Sequence, residues 1–335
     1  MVGLTEEPTQ LEAKLRREVV KSREAALEPS TQRNLQTQWI NYTNFAKRIG
    51  KPIYPITIDM LCLYAQFLSG QVKSPQTIRN YISGICTVIH VKGGETPQLS
   101  SPLFKLTLKG ITKRMQHTVH RAHPITPEIL LDIHKILNHS DSYHAAIWAA
   151  LLFGFLLLLR KSNLVPDSAK KIELRKLITG EKIKFTREAA IVSLNWTKTR
   201  QTGENTLQVP LLHIPNSKLS PLVALKNIQK LVGLHPNDPI FRYQTKAKIR
   251  PLTYPQLNKA IKELVSLTGR DGSKFSSHSL RRGGATYAAK INIPAHTIQT
   301  LGDWKSDAYK NYIESQLDTR TMAASTIKQS LLSLK

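Results

Sequence analysis

Cysteine is nearly missing: Cys62 and Cys86 are the only two in 335 residues. They are too few for a disulfide framework and lack CxxC ligand spacing, so core thiols in a reducing compartment are expected. Acidic side chains are also scarce, with 23 Asp+Glu against 48 Lys+Arg. They are scattered, which counts against a nuclease that clusters carboxylates around two metal ions. The longest apolar run, 145–159, stops at Arg160, short of the ~20 residues a bilayer span needs. It reads as a buried core helix. The first thirty residues lack an apolar segment behind a basic start, so no secretory signal is read. No repeat, low-complexity tract or aromatic-rich RNA-binding strand is visible, which leaves a general RNA-binding role with least support.

Against these gaps stand a 41% hydrophobic fraction and a formal charge of +25. The apolar content suffices for real cores, and the length allows two or three domains. A folded chain with that much unbalanced positive charge attracts polyanions, and DNA or RNA is the default partner.

Periodicity predicts mainly α structure with a small antiparallel β-sheet. Leu11, Leu15 and Val19 lie four apart in an amphipathic helix over 9–27. A second helix over 30–50 carries Leu35, Trp39, Tyr42 and Phe45, and a third runs through 59–70. Ser74-Pro75 supplies an N-cap and a first-turn proline, opening a helix with Ile78, Ile82, Ile85 and Ile89 on one face. Residues 105–116 read as one more basic helix. The stretch 117–125 has no apolar period and is expected to be a linker; its evenly spaced His117, His120 and His123 lack the further ligands a zinc site needs. Thr126-Pro127-Glu128 caps the next helix. Segments 181–187, 189–196 and 206–212 read as three antiparallel strands, after which helical period returns in 253–267, 278–290, 294–301 and 306–315.

The informative motif is SSHSLRRGGATYAAK. With Ser277 as cap, a helix starting at His278 puts His278 and Arg281, at i and i+3, on one face, where imidazole and guanidinium suit a phosphate. Gly283 and Gly284 permit close packing. Upstream, Arg160 ends the apolar run and Lys198 sits at a hairpin tip; downstream come Trp304, Tyr309 and Tyr312. Taken alone, Arg160 reads as an arginine snorkelling to water and Lys198 as a solubilising turn residue.

In order, Arg160, Lys198, His278-x-x-Arg281, Trp304 and Tyr312 resemble the Arg, Lys, His-x-x-Arg, His/Trp, Tyr series of the tyrosine recombinase (phage integrase) family. The resemblance spans 30–320, and LLLLRKSNLVP, WTKTRQTGE and LGDWKSDAYKNYI look most like recombinases of eukaryotic Crypton and DIRS-type mobile elements. It implies a helical extension (1–29), a helical core-binding domain (30–116), the linker (117–125), an α+β catalytic domain (126–316) and a tail (317–335) exchanged between protomers. It further implies site-specific cutting and rejoining of DNA through a 3′-phosphotyrosine, with no metal or other cofactor. Arg160 and Arg281 would clamp the phosphate, Tyr312 attack it, Lys198 protonate the leaving oxygen, His278 take the tyrosine proton or bind the phosphate, and Trp304 donate its indole N–H.

Two features depart from the family pattern. Asn163 stands where an acidic residue is common, three positions after the first arginine. Tyr312 follows Trp304 by eight residues and Asp303 by nine, so either residue can fill the His/Trp slot, with Tyr309 as the fallback nucleophile.

The implied partners are double-stranded DNA, touched by Lys73, Arg79, Lys109, Lys113 and Arg114, and further copies of the chain in a tetramer on synapsed DNA, with a free monomer and no membrane. Met322, Ile327 and Leu331 or Leu332 stand at near-helical spacing in the tail. The implied location is the nucleus of a eukaryotic host, or otherwise a cytoplasm with access to DNA. A non-catalytic DNA-binding descendant of such an element and a type IB topoisomerase-like relaxing enzyme are the alternatives.

Overall fold

The computed structural model describes residues 8–118, 121–186, 189–198, 206–311, 324–325 and 327–333. The chain divides into two compact units, Met1–His120 and Arg121–Lys335.

The first unit is all helical: α1 (Pro8–Ala25), α2 (Pro29–Arg48), α3 (Ile58–Ser69), α4 (Pro75–Val91) and α5 (Pro102–Met115). Local chemistry sets the starts. The side chains of Thr57 and Ser74 accept from the backbone N–H of Met60 and Thr77, and proline occupies the first turn of α2, α4 and α5, where no N–H is needed. Helix α5 therefore begins three residues before the expected position, at a Ser-Pro step like that of α4. Ile78, Ile82, Ile85 and Ile89 are all buried, packed with Tyr42, Phe45, Leu61, Tyr64, Leu68, Phe104 and Ile111. Burying each such side chain stabilises by about 1.5–3 kcal/mol before entropy is charged. The two buried phenols find acceptors, Tyr64 in Asn41 Oδ1 and Tyr42 in the Ile53 carbonyl. On α1, by contrast, Leu15 and Val19 are exposed.

The second unit is built on α7 (Ser142–Leu156), whose residues from Ala145 to Phe155 are all buried, as its unbroken apolar text requires. Helices α6 (Pro127–Ile136), α9 (Pro221–Val232), α10 (Tyr254–Leu267) and α11 (Ser277–Lys290) contribute to the same core. One single-turn helix, α8 (Lys161–Leu164), follows α7, and α12 (Ala295–Leu301) follows α11. The predicted sheet is present as β1 (Ile183–Phe185), β2 (Ala189–Leu194) and β3 (Leu207–Leu212), antiparallel in that order, with Ile183 opposite Val192 and Val192 opposite Val209. A second hairpin, β4 (Arg242–Gln244) with β5 (Ile249–Pro251), is not signalled by the sequence reading. The predicted helix over 306–315 is a short 3-10 turn at Asp307–Asn311, and its remaining residues lie outside the described ones. Among the described residues no helix is long and apolar enough to cross a membrane.

Part of the expected linker belongs to the second unit. His123 N–H donates to the Lys274 carbonyl, Ile125 N–H donates to the Ser279 carbonyl, and Ile125 is fully buried. The loop before β1 is tied by Lys182, whose buried ammonium donates to the carbonyls of Leu174, Arg175 and Leu177; burial pulls its pKa below the ordinary lysine value.

Candidate active site

After α7 the chain stays buried through Leu157, Leu158 and Leu159, with Leu158 in the left-handed region at φ 49°, and reaches the site at Arg160. Arg160 is the N-cap of α8, and its side chain is only one-fifth exposed (20%). Its Nη2 donates to the carbonyl of Asp303 at 2.9 Å, and Nη1 faces Asp303 Oδ2 at 3.4 Å.

Helix α11 brings the His-x-x-Arg pair. Its N-cap is Ser276, one residue earlier than expected, and a capping box with Ser279 satisfies the first turn, so Ser277 is helical and buried. Two glycines then let the helix approach other backbone closely: a Cβ on Gly283 would overlap the carbonyl oxygen of Ile125, and one on Gly284 that of Phe155. This approach carries Arg281 into the interior at 4% exposure. Its Nη1 donates to the Leu158 carbonyl and its Nη2 to the Gly302 carbonyl, while the guanidinium lies 3.8 Å from the centroid of the Trp304 ring. Such stacking on an indole adds a cation–π attraction that is strongest where water is excluded.

Asp303 and Trp304, the two candidates for the His/Trp slot, both border the site, on different arginines. Trp304 stacks on Arg281, whereas Asp303, at φ 51°, engages Arg160. Gly302 and Asp303 thus offer consecutive carbonyls to the two guanidinium groups. Thr197, beside Lys198 and three residues past the end of β2, donates to Asp303 Oδ2 at 2.5 Å. Lys198 is exposed.

His278 is exposed, yet partial desolvation and the neighbouring charges of Arg281, Lys161 and Lys198 lower its pKa below the ordinary 6.5. The same three cations place His278 in the field of the site. Being depressed, this group favours its neutral form in the folded protein. Its contribution to stability is complete above 6.5 and is lost as pH falls through the lower folded value. An NMR titration of the free protein is therefore expected to give a His278 midpoint below 6.5, moving upward in Lys198→Gln; a midpoint at or above 6.5 contradicts this electrostatic picture.

Asn163, at the position of the other departure, is buried. Its amide donates to the carbonyls of Lys176 and Trp196, both at 2.9 Å, so it is a buried tie between two loops. Tyr309 is 7% exposed, in a small cluster with Leu158, Ala285, Ile298 and Trp304. Tyr312 lies outside the described residues, as does Met322.

In the first unit, Lys73, Arg79, Lys109, Lys113 and Arg114 are all exposed. Three of them, Arg79, Lys109 and Lys113, line a groove of about 280 Å³ together with Lys105, Leu108 and Thr112. Sequence reasoning missed Lys105, although Lys105, Lys109 and Lys113 are spaced by four on one helix face. Arg114 instead donates to Gln66 Oε1. In the tail, Ile327, Leu331 and Leu332 are exposed.

The sequence and the fold have counterparts among known proteins. A model of the phage integrase family matches residues 131–317, more than half of the chain. The chain belongs to the phage integrase family. The matched stretch contains Arg160, Lys198, His278, Arg281, Trp304 and Tyr312. Among curated relatives, the chain is similar to the integrase/recombinase xerD homolog of Selenomonas ruminantium, 25% identical over 286 residues that cover 82% of this chain and 79% of that one. Other family folds superpose on it. A lambda integrase dimer bound to a COC′ core site gives a TM-score of 0.55 at 16% identity, covering 91% of this chain and 96% of that one. The XerH site-specific recombinase, bound to palindromic difH in a post-cleavage complex, gives 0.57 at 14% identity, covering 87% and 77%. The Tn1549 transposon integrase with circular intermediate DNA gives 0.56 at 15% identity, covering 94% and 98%. For a phage integrase family member, a mainly helical chain with a small antiparallel sheet is the expected architecture, and it is what the chain has.

Proposed function

We propose that this chain is a site-specific recombinase of a mobile element that cuts and rejoins duplex DNA through a covalent tyrosine intermediate. The observation that carries the reading is the meeting of Arg160 and Arg281 on the consecutive carbonyls of Gly302 and Asp303, next to Trp304, with His278 in the cationic field of Arg281, Lys161 and Lys198. A phosphodiester in that field exchanges the repulsion of its own negative oxygens for fixed positive charge, which is strongest where it is already oriented. The Tyr312 oxygen then forms a bond to phosphorus as the bond to the 5′-oxygen breaks. The tyrosine proton passes to neutral His278, and the leaving oxygen takes a proton from Lys198. The reverse reaction, with a different 5′-hydroxyl, rejoins the strands. Neither step consumes an oxidant, a reductant or a nucleotide.

In this reading the second unit is the catalytic domain and the first is the core-binding domain. The α4–α5 groove, with Arg79, Lys105, Lys109 and Lys113, tracks the phosphate backbone. The tail docks on a neighbouring copy in a tetramer on two synapsed sites. The phrase-level likeness to Crypton and DIRS-type elements supports a eukaryotic host and a nuclear location.

The test is a nicked suicide duplex carrying the terminal sequences of the chain's own element. A denaturant-resistant protein–DNA adduct is expected. Sequence-specific binding without an adduct would instead favour the non-catalytic DNA-binding reading, and relaxation of supercoils without paired-site exchange the topoisomerase reading. Lys198→Ala is expected to slow adduct formation by about 10²–10⁴-fold, the usual range for a lost general acid. A 5′-bridging phosphorothiolate, whose sulfur leaves without a proton, is expected to restore the rate; no rescue would remove Lys198 from the acid role.

A further inference from the structure

We infer that Asp303 is a positioning residue that holds Arg160 for the phosphate and ties it to the base of the hairpin that carries Lys198. The inference rests on the recombinase reading for its catalytic consequence, and on contacts alone for the placement.

Asp303 joins three stretches of chain that are distant in sequence. Its carbonyl accepts from Arg160 Nη2 at 2.9 Å, and its Oδ2 faces Arg160 Nη1 at 3.4 Å. The same Oδ2 accepts from Thr197 Oγ1 at 2.5 Å. The carboxylate is 9% exposed, so the pair with Arg160 works in a medium of lower effective dielectric than a surface ion pair. The backbone is also committed: at φ 51° Asp303 adopts a left-handed conformation, which costs energy for a residue other than glycine and persists where surrounding contacts over-determine it. Asp and Asn tolerate this conformation better than bulky residues do.

The need for such a residue is physical. A guanidinium on a long flexible stem loses rotamer entropy each time it binds a phosphate, and holding it in advance removes that cost from the reaction. Asn163, close to Arg160 in sequence, spends its amide on the Lys176 and Trp196 carbonyls. The carboxylate for Arg160 therefore comes from the far side of the site. Because Thr197 shares it, the residue next to Lys198 is bound to the same anchor. One carboxylate thus registers the arginine that would bind the phosphate against the lysine that would protonate its leaving group.

Asp303→Asn keeps the size and the acceptor for Thr197 but removes the charge. With the suicide duplex, its single-turnover cleavage rate at saturating DNA is expected to fall about a hundredfold, as for a misplaced reacting group. DNA affinity should be unchanged or tighter, because a negative charge has left a cationic site. Thr197→Val, which leaves the Asp303 carboxylate in place and removes only the hydroxyl that donates to it, is expected to slow cleavage in the same direction by a smaller factor. Combined with Asp303→Asn it should be less than additive, since both act on one network.

A second readout needs no activity. In the free wild-type protein the Arg160 guanidinium should give separate, slowly rotating Nη resonances by ¹⁵N NMR, and these should merge in Asp303→Asn. Unchanged Arg160 resonances would overturn the inference. So would cleavage that stays within twofold of wild type or becomes faster, the latter meaning that the carboxylate competes with the phosphate. If wild type forms no adduct, the recombinase reading fails, and the resonances still decide the placement.

Discussion

Tyr312→Phe is expected to abolish the covalent adduct, by about a thousandfold or more, while Tyr309→Phe leaves it within a few-fold of wild type. The two tyrosines are close in sequence but differ in circumstance. Tyr309 ends in a cluster with Leu158, Ala285, Ile298 and Trp304, its ring centroid 6.4 Å from that of Trp304, at 7% exposure. Its ring is packing for the indole that covers Arg281, and phenylalanine preserves that packing. A phenol so placed would have to leave its cluster, and expose the apolar surfaces of its neighbours, to reach a phosphate. Tyr312 lies nine residues after Asp303 and just past the 3-10 turn that Tyr309 anchors. Its hydroxyl is the only atom that the substitution to phenylalanine removes. The measurement is the fraction of suicide duplex retained on protein in denaturant. An undiminished adduct from the Tyr312 variant, or its loss from the Tyr309 variant, would reverse the assignment.

Gly284→Ala is expected to destabilise the second unit by about 3 kcal/mol, the upper end of what overpacking costs, and to lower its thermal midpoint by roughly 6–12 °C. The new methyl group would overlap the carbonyl oxygen of Phe155 and also crowd Leu158 Cδ2. Carbonyl oxygens in a helix do not move aside as side-chain tips do, so α11 itself would have to shift, and with it Arg281. Gly283→Ala meets the Ile125 carbonyl in the same way. Gly110 in α5 supplies the control, because a Cβ there has nothing within 4 Å. In that helix interior the same change should stabilise by about 0.5–1 kcal/mol through the unfolded chain and helix propensity. Equal effects at Gly110 and Gly284, read by differential scanning calorimetry, would show that propensity and not close approach governs both.

Much of the fold was legible because its signals are local. Ser74-Pro75 and Thr126-Pro127 mark helix starts by cap chemistry confined to one turn, and the isoleucines of α4 announce their buried face by spacing alone. The β4–β5 hairpin was not legible. Its strands are three residues each and include Arg242, buried because its guanidinium reaches Asp238 and the carbonyls of Val232 and Gly233. No alternation can show in three residues, and a buried arginine reads as exposed until its partners are known.

The site divides along the same line. His278 and Arg281 share a helix turn, so their alliance is visible in the motif, and Arg160, Trp304 and Tyr312 stand out by order. The role of Asp303 was hidden because its contacts lie 106 and 143 residues away, at Thr197 and Arg160. Ser276 displaced Ser277 as cap because either serine satisfies the sequence rule, and only the geometry of the first turn separates them.

The two guanidinium groups lean on adjacent peptide units, one at Gly302 and the next at Asp303. Their aims are therefore geared together: turning that short piece of backbone swings both forks at once, and neither can be retuned alone. Evolution or engineering that alters one arginine's reach will be felt by the other, and paired substitutions there should combine as a single lesion and not as two.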